Sequence, residues 1–304
     1  MQTRSLRSFL MLAEVLHFAR AAERLGIAQA TLSQQIAALE AEVGVQLLSR
    51  DNRNVRLTPA GETFLDEARG IVAQVDAATA KARQVARGDV GVLNVGAASA
   101  ALLELVPLVV ERLAQSHPAL EVRVAEHSSM VQESMLIAGE IDVGLLHPPL
   151  VAAQLRSEII LTEPMVLALW EAHPLATKQT VAIRDLAGAR MLLPERQAGP
   201  FLFDRLAEAF RTAGIALEGE CGPCAPQTVL SLVAAKRGLA IVPGTLRHLT
   251  RPGVVYRRIE QNPLTLDIAV AWRDGEQRAT VVNFRRALLD CRASRRLLTS
   301  ALQP

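Results

Sequence analysis

Leu6, Phe9, Leu10, Ala13 and Leu16 stand at helical spacing near the start of the chain and form one apolar stripe. A second helix fits Phe18 to Leu25, with Ala21, Ala22 and Leu25 turned inward. Gly26 then breaks the pattern, since glycine takes the left-handed geometry of a tight turn without steric cost. A third helix is predicted from about Gln29 to Val43, with Leu32, Ile36, Leu39 and Val43 on its apolar side. Small Ala22, then Gly26, then Leu32 is the spacing of a helix-turn-helix. The alanine lets two helices cross closely, the glycine makes the turn, and the leucine locks the second helix onto the first. Next comes "LLSRDNRNVRLTPAG", in which Asp51-Asn52-Arg53-Asn54 is turn chemistry between two short apolar stretches, and this predicts a β-hairpin wing. Thr58 suits an N-cap and Pro59 the first helical position. From there Phe64, Ala68, Ile71, Val75, Ala78, Ala82 and Val85 step alternately by four and three, the seam of a coiled coil. "ARGDVG", Ala86 to Gly91, ends that helix and reads as a hinge.

From Val92 onward the rhythm changes to alternating strands and helices. "VLNVGAA", "LEVRVAEH" and "IDVGLL" read as strands, with "ALLELVPLVVERLAQSHP" and "MVQESMLIAGE" as the helices between them. A second set starts near Glu163 with "MVLALW", "RMLLP", the helix "FLFDRLAEAFRTAG", then "TVLSLVAAKRG" and "LAIVPG". Such alternation with short links predicts parallel, right-handed βαβ units. "LTLDIAVAWR" is expected to cross back to the first set, and "ATVVNFRRALLDCRASRRLLTSAL" to form a closing helix. The fold class is therefore α/β, behind an N-terminal winged helix-turn-helix and a long linker helix.

Composition narrows the function. At 304 residues the chain exceeds the usual size of one domain, and at 50% hydrophobic it has ample core-forming residues. A net charge of +2 excludes histone-like basicity but leaves room for a small basic patch. No segment approaches about 18 uninterrupted apolar residues, so no membrane span is expected. "MQTRSLRSFLML" does not read as a signal peptide, and an odd number of cysteines, 3, does not suit a secreted disulfide framework. The expected location is the cytoplasm.

The outer face of the third helix presents Gln29, Thr31, Ser33, Gln34 and Gln35 with hardly a charge among them. Gln pairs with adenine edges, and Ser and Thr reach bases or phosphates, in a major groove wide enough for a helix. Arg50, Arg53 and Arg56 put positive charge on or beside the wing, where phosphates or a narrow minor groove attract it; a solvated loop is the alternative for any one of them. A coiled-coil seam needs a partner helix, so a dimer is inferred. Two recognition helices on a dimer match a two-fold site in double-stranded DNA.

"RAAERLGIAQATLSQQIAALEAEVGVQLLSR" followed by "LTPAGE" resembles the winged helix-turn-helix and linker helix of LysR-type transcriptional regulators, and the alternating C-terminal part resembles that family's two-lobed effector domain. The resemblance implies a DNA-binding domain over 1–58, a dimerisation helix over 59–87, a hinge at 88–91 and an effector domain over 92–304. Lobe I would comprise about 92–161 and 266–304, and lobe II about 162–265. It further implies a ligand-responsive, sequence-specific regulator that binds an operator, assembles as a tetramer and has RNA polymerase as a further candidate partner. The family often has Pro and Arg where this chain has Ala30 and Gln34, so base preference does not transfer from relatives.

The resemblance implies a small organic or aromatic acid held between the lobes, at the carboxyl ends of strands where open α/β sheets bind ligands. "AASAA" offers free backbone N–H groups to a carboxylate, and the family's first hydroxyl position falls on Ser99 or Ala100. Ser128 and Ser129 follow the next strand, with Ser129 fitting the second hydroxyl position better. Helix capping is the other use of Ser99, Ser128 and Ser129, and it is compatible with ligand binding. Pro200 and Phe201 could wall an apolar or aromatic ligand. The alternative function rests on "CGPC": Cys221 and Cys224 form a Cys-x-x-Cys that would suit a thiol-redox sensor or oxidoreductase. No catalytic order of residues, phosphate-cradling glycine loop or histidine pair at metal spacing occurs, so no enzyme activity, metal or cofactor is expected.

Overall fold

The structure, a computed structural model, describes residues 1–51, 54–196, 200–222, 225–260 and 264–301, with the backbone alone at 50, 51, 54, 221 and 292–301. It divides into two compact units, Met1–Gln84 and Val85–Pro304.

In the first unit α1 (Thr3–Val15), α2 (Phe18–Leu25) and α3 (Gln29–Val43) lead into an antiparallel hairpin of β1 (Leu48–Asp51) and β2 (Asn54–Leu57). The long helix α4 (Pro59–Arg87) follows. Gly26, at φ 66°, ends α2 in the left-handed region and makes the turn the spacing predicted. Phe9, Leu12, Ala21, Ala22, Leu32, Ile36 and Leu39 bury together with Ala68 and Val72 of α4. The rings of Phe9 and Phe64 meet edge to face at 5.4 Å. Thr58 Oγ1 accepts from Gly61 N at 2.9 Å and so caps α4.

The seam along α4 is not uniform. Phe64, Ala68 and Ile71 pack into the three-helix core, whereas Val75, Ala78, Ala82 and Val85 are exposed. Only the distal half is thus open to a partner helix.

The second unit alternates as expected through β3 (Val90–Ala97), α5 (Ser99–Ser116), β4 (Ala119–Glu126), α6 (Ser129–Ala138) and β5 (Val143–Leu146). Val90 and Gly91 already pair with Ala119 and Leu120, so the expected hinge at 88–91 is corrected: its last two residues belong to a strand. The long strand β6 (Leu155–Trp170) and the short β7 (Thr180–Val181) follow. Next come β8 (Met191–Pro194), α7 (Pro200–Thr212), β9 (Gly219–Gly222), α8 (Pro226–Ala234), β10 (Ala240–Pro243) and a 3-10 turn, Gly244–His248. The unit closes with β11 (Val254–Ile259), β12 (Thr265–Arg273) and α9 (Ala279–Ala301).

The parallel expectation holds for β4-β3-β5 and for β8-β9. The rest of the sheet is antiparallel or mixed: β12 runs against β5 and β6, and β6 runs against β10 and β11. The reason is β6 itself. It pairs with β12 over Leu155–Pro164 and with β10 and β11 over Met165–Trp170, so one strand serves both lobes. A boundary at 161/162 would fall inside it. Each lobe keeps its own core, one around Leu93, Val109, Val143, Ile268 and Phe284, the other around Leu167, Leu206, Phe210 and Ile241.

Candidate nucleic-acid interface and effector cleft

On α3 the buried stripe Leu32, Ile36 and Leu39 turns Ala30, Gln34, Ala37 and Ala38 to solvent, with Gln29 and Thr31 exposed and Ser33 half-buried. Ala28, the N-cap, offers no side-chain cap, so the first-turn N–H groups of α3 are open to a phosphate. Gln35 departs from the expected outer face: its Oε1 accepts from Ser8 Oγ at 2.6 Å, which ties α3 to α1. Glu40 is a residue the sequence reading missed. Its Oε1 accepts from Leu47 N at 2.9 Å and Leu48 N at 3.0 Å, anchoring the first strand of the hairpin to α3. The available signal was a charge continuing the Leu32–Ile36 stripe at the next four-residue step. Arg56 is exposed on β2. Arg50 lies on β1 with its backbone alone described, and Arg53 lies outside the described residues.

In the second unit α5 follows the carboxyl end of β3, α6 that of β4, and the turn Gly244–His248 that of β10. Leu103 of α5 packs with Leu246 of the Gly244–His248 turn, which places the start of α5 beside the lobe II turn that follows β10. Ala98 N-caps α5 and Ser128 N-caps α6, both without a side-chain cap. Ser128 thus holds the N-cap position of α6 without a cap hydrogen bond from its hydroxyl, and Ser99 and Ser129 stand one position inside their helices. Ser99 Oγ donates to a Glu126 carboxylate oxygen, and Ser129 Oγ accepts from His147 N at 3.0 Å; Ser128 is exposed. Ala100 is buried, with its methyl packed in the lobe I core.

His147 Nδ1 lies 2.9 Å from Asp267 O, and a carbonyl only accepts, so Nδ1 carries the proton. Burial pushes its pKa down and keeps the ring neutral. Pro200 opens α7, and the exposed Phe201 ring carries the Arg205 guanidinium 5.5 Å from its centroid. Arg205 Nη1 also donates to Thr265 O at 2.9 Å, fixing the pair at the crossing between lobes. Glu163, on β6 at the same crossing, is a buried carboxylate that the sequence reading did not single out. Its Oε2 accepts from Thr245 N at 2.9 Å, and burial pushes its pKa up. Cys221 lies on β9, opposite Leu193, with only its backbone described, and Cys224 lies outside the described residues.

A helix-turn-helix with a wing, a long helix and a two-lobed α/β unit are thus present in one chain, and comparison with known proteins matches both folded parts. Residues 3–62 match the bacterial regulatory helix-turn-helix of the lysR family, and residues 86–292 match the LysR substrate binding domain. The chain belongs to the LysR family of transcriptional regulators. It is 36% identical to the HTH-type transcriptional regulator AlsR of Bacillus subtilis (strain 168), over 93% of this chain and 94% of that protein. With the HTH-type transcriptional regulator BudR of Raoultella terrigena it shares 34% identity, over 93% of this chain and 99% of BudR. The crystal structure of CbnR, a LysR family transcriptional regulator, superposes with a TM-score of 0.83 at 28% identity, covering 95% of this chain and 100% of CbnR. Full-length CbnR bound to its target DNA superposes at 0.79, again at 28% identity, covering 96% of this chain and 100% of CbnR. This LysR regulator is accordingly a ligand-responsive DNA-binding protein. Among the described residues no helix is long and apolar enough to cross a membrane.

Proposed function

We propose that this LysR regulator reads its operator with the outward face of α3 and grips the flanking backbone with its hairpin. Gln34 and Gln29 would pair with adenine edges, and the Ala30 methyl would meet a thymine methyl. Thr31 and Ser33 would reach bases or phosphates, and Arg50, Arg53 and Arg56 would hold phosphates. Two chains would pair through Val75, Ala78, Ala82 and Val85 of α4, and a tetramer would be the working assembly. The protein would act in the cytoplasm as a switch rather than an enzyme, without a cofactor and with RNA polymerase as a further partner.

The effector would be a small organic or aromatic acid between the lobes. The observation that carries this is the start of α5 at the carboxyl end of β3, where the N-cap Ala98 gives the N–H groups of Ser99, Ala100 and Ala101 no side-chain cap, at a helix end that favours negative charge. Ser128 and Ser129 stand at the equivalent end of α6, and Phe201 with Pro200 provides an apolar wall. A ligand shifts the lobe arrangement only by its difference in affinity for the two states.

A thermal-shift titration of the full chain with benzoate and small dicarboxylates tests the cleft, because a ligand of the folded state raises Tm by mass action. A dose-dependent rise that Ser129→Ala and Phe201→Ala both weaken is expected. A rise of unchanged size in both variants would place the acid elsewhere.

A further inference from the structure

Lobe II holds a second cavity, of about 320 Å³, that the regulator's cleft does not use. Trp170, His173, Arg190, Lys236 and Arg237 line it. Its floor is where two strands begin. Arg190 stands just before β8 and Leu239 just before β10, and Leu239 N donates to Arg190 O at 2.9 Å. The effector site proposed above is at the carboxyl ends of the same strands, so the two would sit at opposite ends of the lobe.

The lining combines unspent positive charge with an aromatic wall. Arg190 pairs with Glu220. Lys236 and Arg237 are exposed, and among the described residues neither side chain makes a hydrogen bond or ion pair. The Trp170 and His173 rings meet edge to face at 4.5 Å. His173 Nδ1 accepts from Leu175 N at 3.1 Å, which leaves the proton on Nε2 as a free donor.

The backbone supplies the deciding detail. Helix α8 ends in a Schellman motif, with Lys236 N bonded to Val233 O at 2.9 Å and Arg237 N to Leu232 O at 3.0 Å. Lys236 occupies the left-handed position, at φ 59°, where glycine is the usual residue and any side chain is strained. Positive charge does complement the carbonyl end of a helix. Arg237 already provides that without strain, so the dipole does not explain a lysine at 236. Gly238, two residues on, shows the contrast: a Cβ there would stand 2.8 Å from Arg190 O, so glycine is kept where crowding demands it. Strain retained beside a cavity points to use of the side chain.

We propose that this cavity is a second ligand site, for a small anion carrying a flat aromatic ring. The anionic group would lie between Lys236 and Arg237, and the ring against Trp170 with the His173 Nε2–H at its edge. The volume is at the small end of ligand sites, which run from about 300 to 1,000 Å³.

The test uses the full chain with its 2 tryptophans, Trp170 and Trp272, replaced biosynthetically by 5-fluorotryptophan. Trp272 is a built-in control, covered by the Arg285 guanidinium 3.3 Å from its ring centroid. Benzoate, adenosine monophosphate and inorganic phosphate are titrated while both ¹⁹F resonances are followed. A saturable shift of the Trp170 resonance alone is expected with one ring-bearing anion, at least tenfold tighter than with phosphate. Whether benzoate or the nucleotide produces it tells carboxylate from phosphate. Lys236→Gly and Arg237→Gln should each weaken it at least tenfold; the glycine also relieves the strained φ, so loss of folding is not expected. Ser129→Ala and Phe201→Ala should leave it unchanged, which separates this site from the cleft. No saturable shift with either ring-bearing anion, or equal affinity in Lys236→Gly and Arg237→Gln, would overturn the proposal. Phosphate binding as tightly as both would overturn the aromatic part.

Discussion

Gly61 has no room for a side chain: a Cβ there would stand 2.0 Å from Leu47 O, a backbone atom that cannot swing aside. The glycine lets the first turn of α4 lie against the start of the hairpin, which Thr58 Oγ1 reinforces by donating to Gln46 O at 2.7 Å. Gly61→Ala should therefore destabilise the DNA-binding unit by about 1–3 kcal/mol or more, the usual penalty for overpacking, read as earlier melting of the full chain. Gln34 is the opposite kind of residue, exposed and unnecessary to the core. Gln34→Ala should leave the melting temperature unchanged and cost about 1–3 kcal/mol in operator affinity, with little loss on random DNA. Gel-shift titrations against both DNAs at one salt concentration check this, since phosphate contacts alone would lower both equally. Gln29→Ala tests the same reading at the helix start.

The exposed apolar run on α4 carries the next expectation. Val75 and Val85 are 38% and 56% exposed in the single chain, so aspartate at either costs the monomer little. In a paired helix the same charge would be buried without a partner, which is costly. Val75→Asp and Val85→Asp should lower the sedimenting mass while the DNA-binding unit stays folded; an unchanged mass would count against pairing through this face. Ile71→Asp is a poorer probe, because Ile71 also packs on the three-helix core. Elements of this kind were legible in the sequence: the three-residue and four-residue apolar steps, Gly26 and Thr58-Pro59 located the first unit's helices closely. The antiparallel strands were less so. Periodicity reveals a strand but not its direction or partner, and β6 looks like a short apolar run because only Met165–Trp170 is continuously apolar. Of the candidate site, the sequence made legible where Ser129 and Phe201 stand, at helix starts that follow strands. It hid Glu40 and Glu163, which meet their partners across turns that no local pattern encodes.

Taken over the whole second unit, two carboxylates, the half-buried Glu276 and the buried Glu163, should oppose each other in pH dependence. Glu276 sits among guanidinium groups, with Arg278 Nη2 at 2.7 Å and Arg273 Nη2 at 3.0 Å. Those donors, Arg278 foremost, hold its pKa down from 4.5 to about 2. A lowered folded pKa adds stability that is fully present above the unfolded value and is lost as pH falls from about 4.5 towards 2. Glu163 has the reverse sign. Burial raises its pKa, although Oε2 accepts from Thr245 N. The folded state therefore favours the neutral acid, and this contribution is present below the ordinary carboxylate range and lost as pH rises through the folded pKa. Glu163→Gln keeps an acceptor for Thr245 N and removes the buried charge. It should raise Tm relative to the parent at pH 7–8 and match it near pH 4. Glu276→Gln should do the converse, lowering Tm near neutrality and converging with the parent at the acid end. Calorimetric melts of both variants from pH 3 to 8 separate the two. A parallel offset at every pH would mean that packing around these side chains, and not their charge, sets the stability of the lobe junction and of the Arg273–Arg278 cluster.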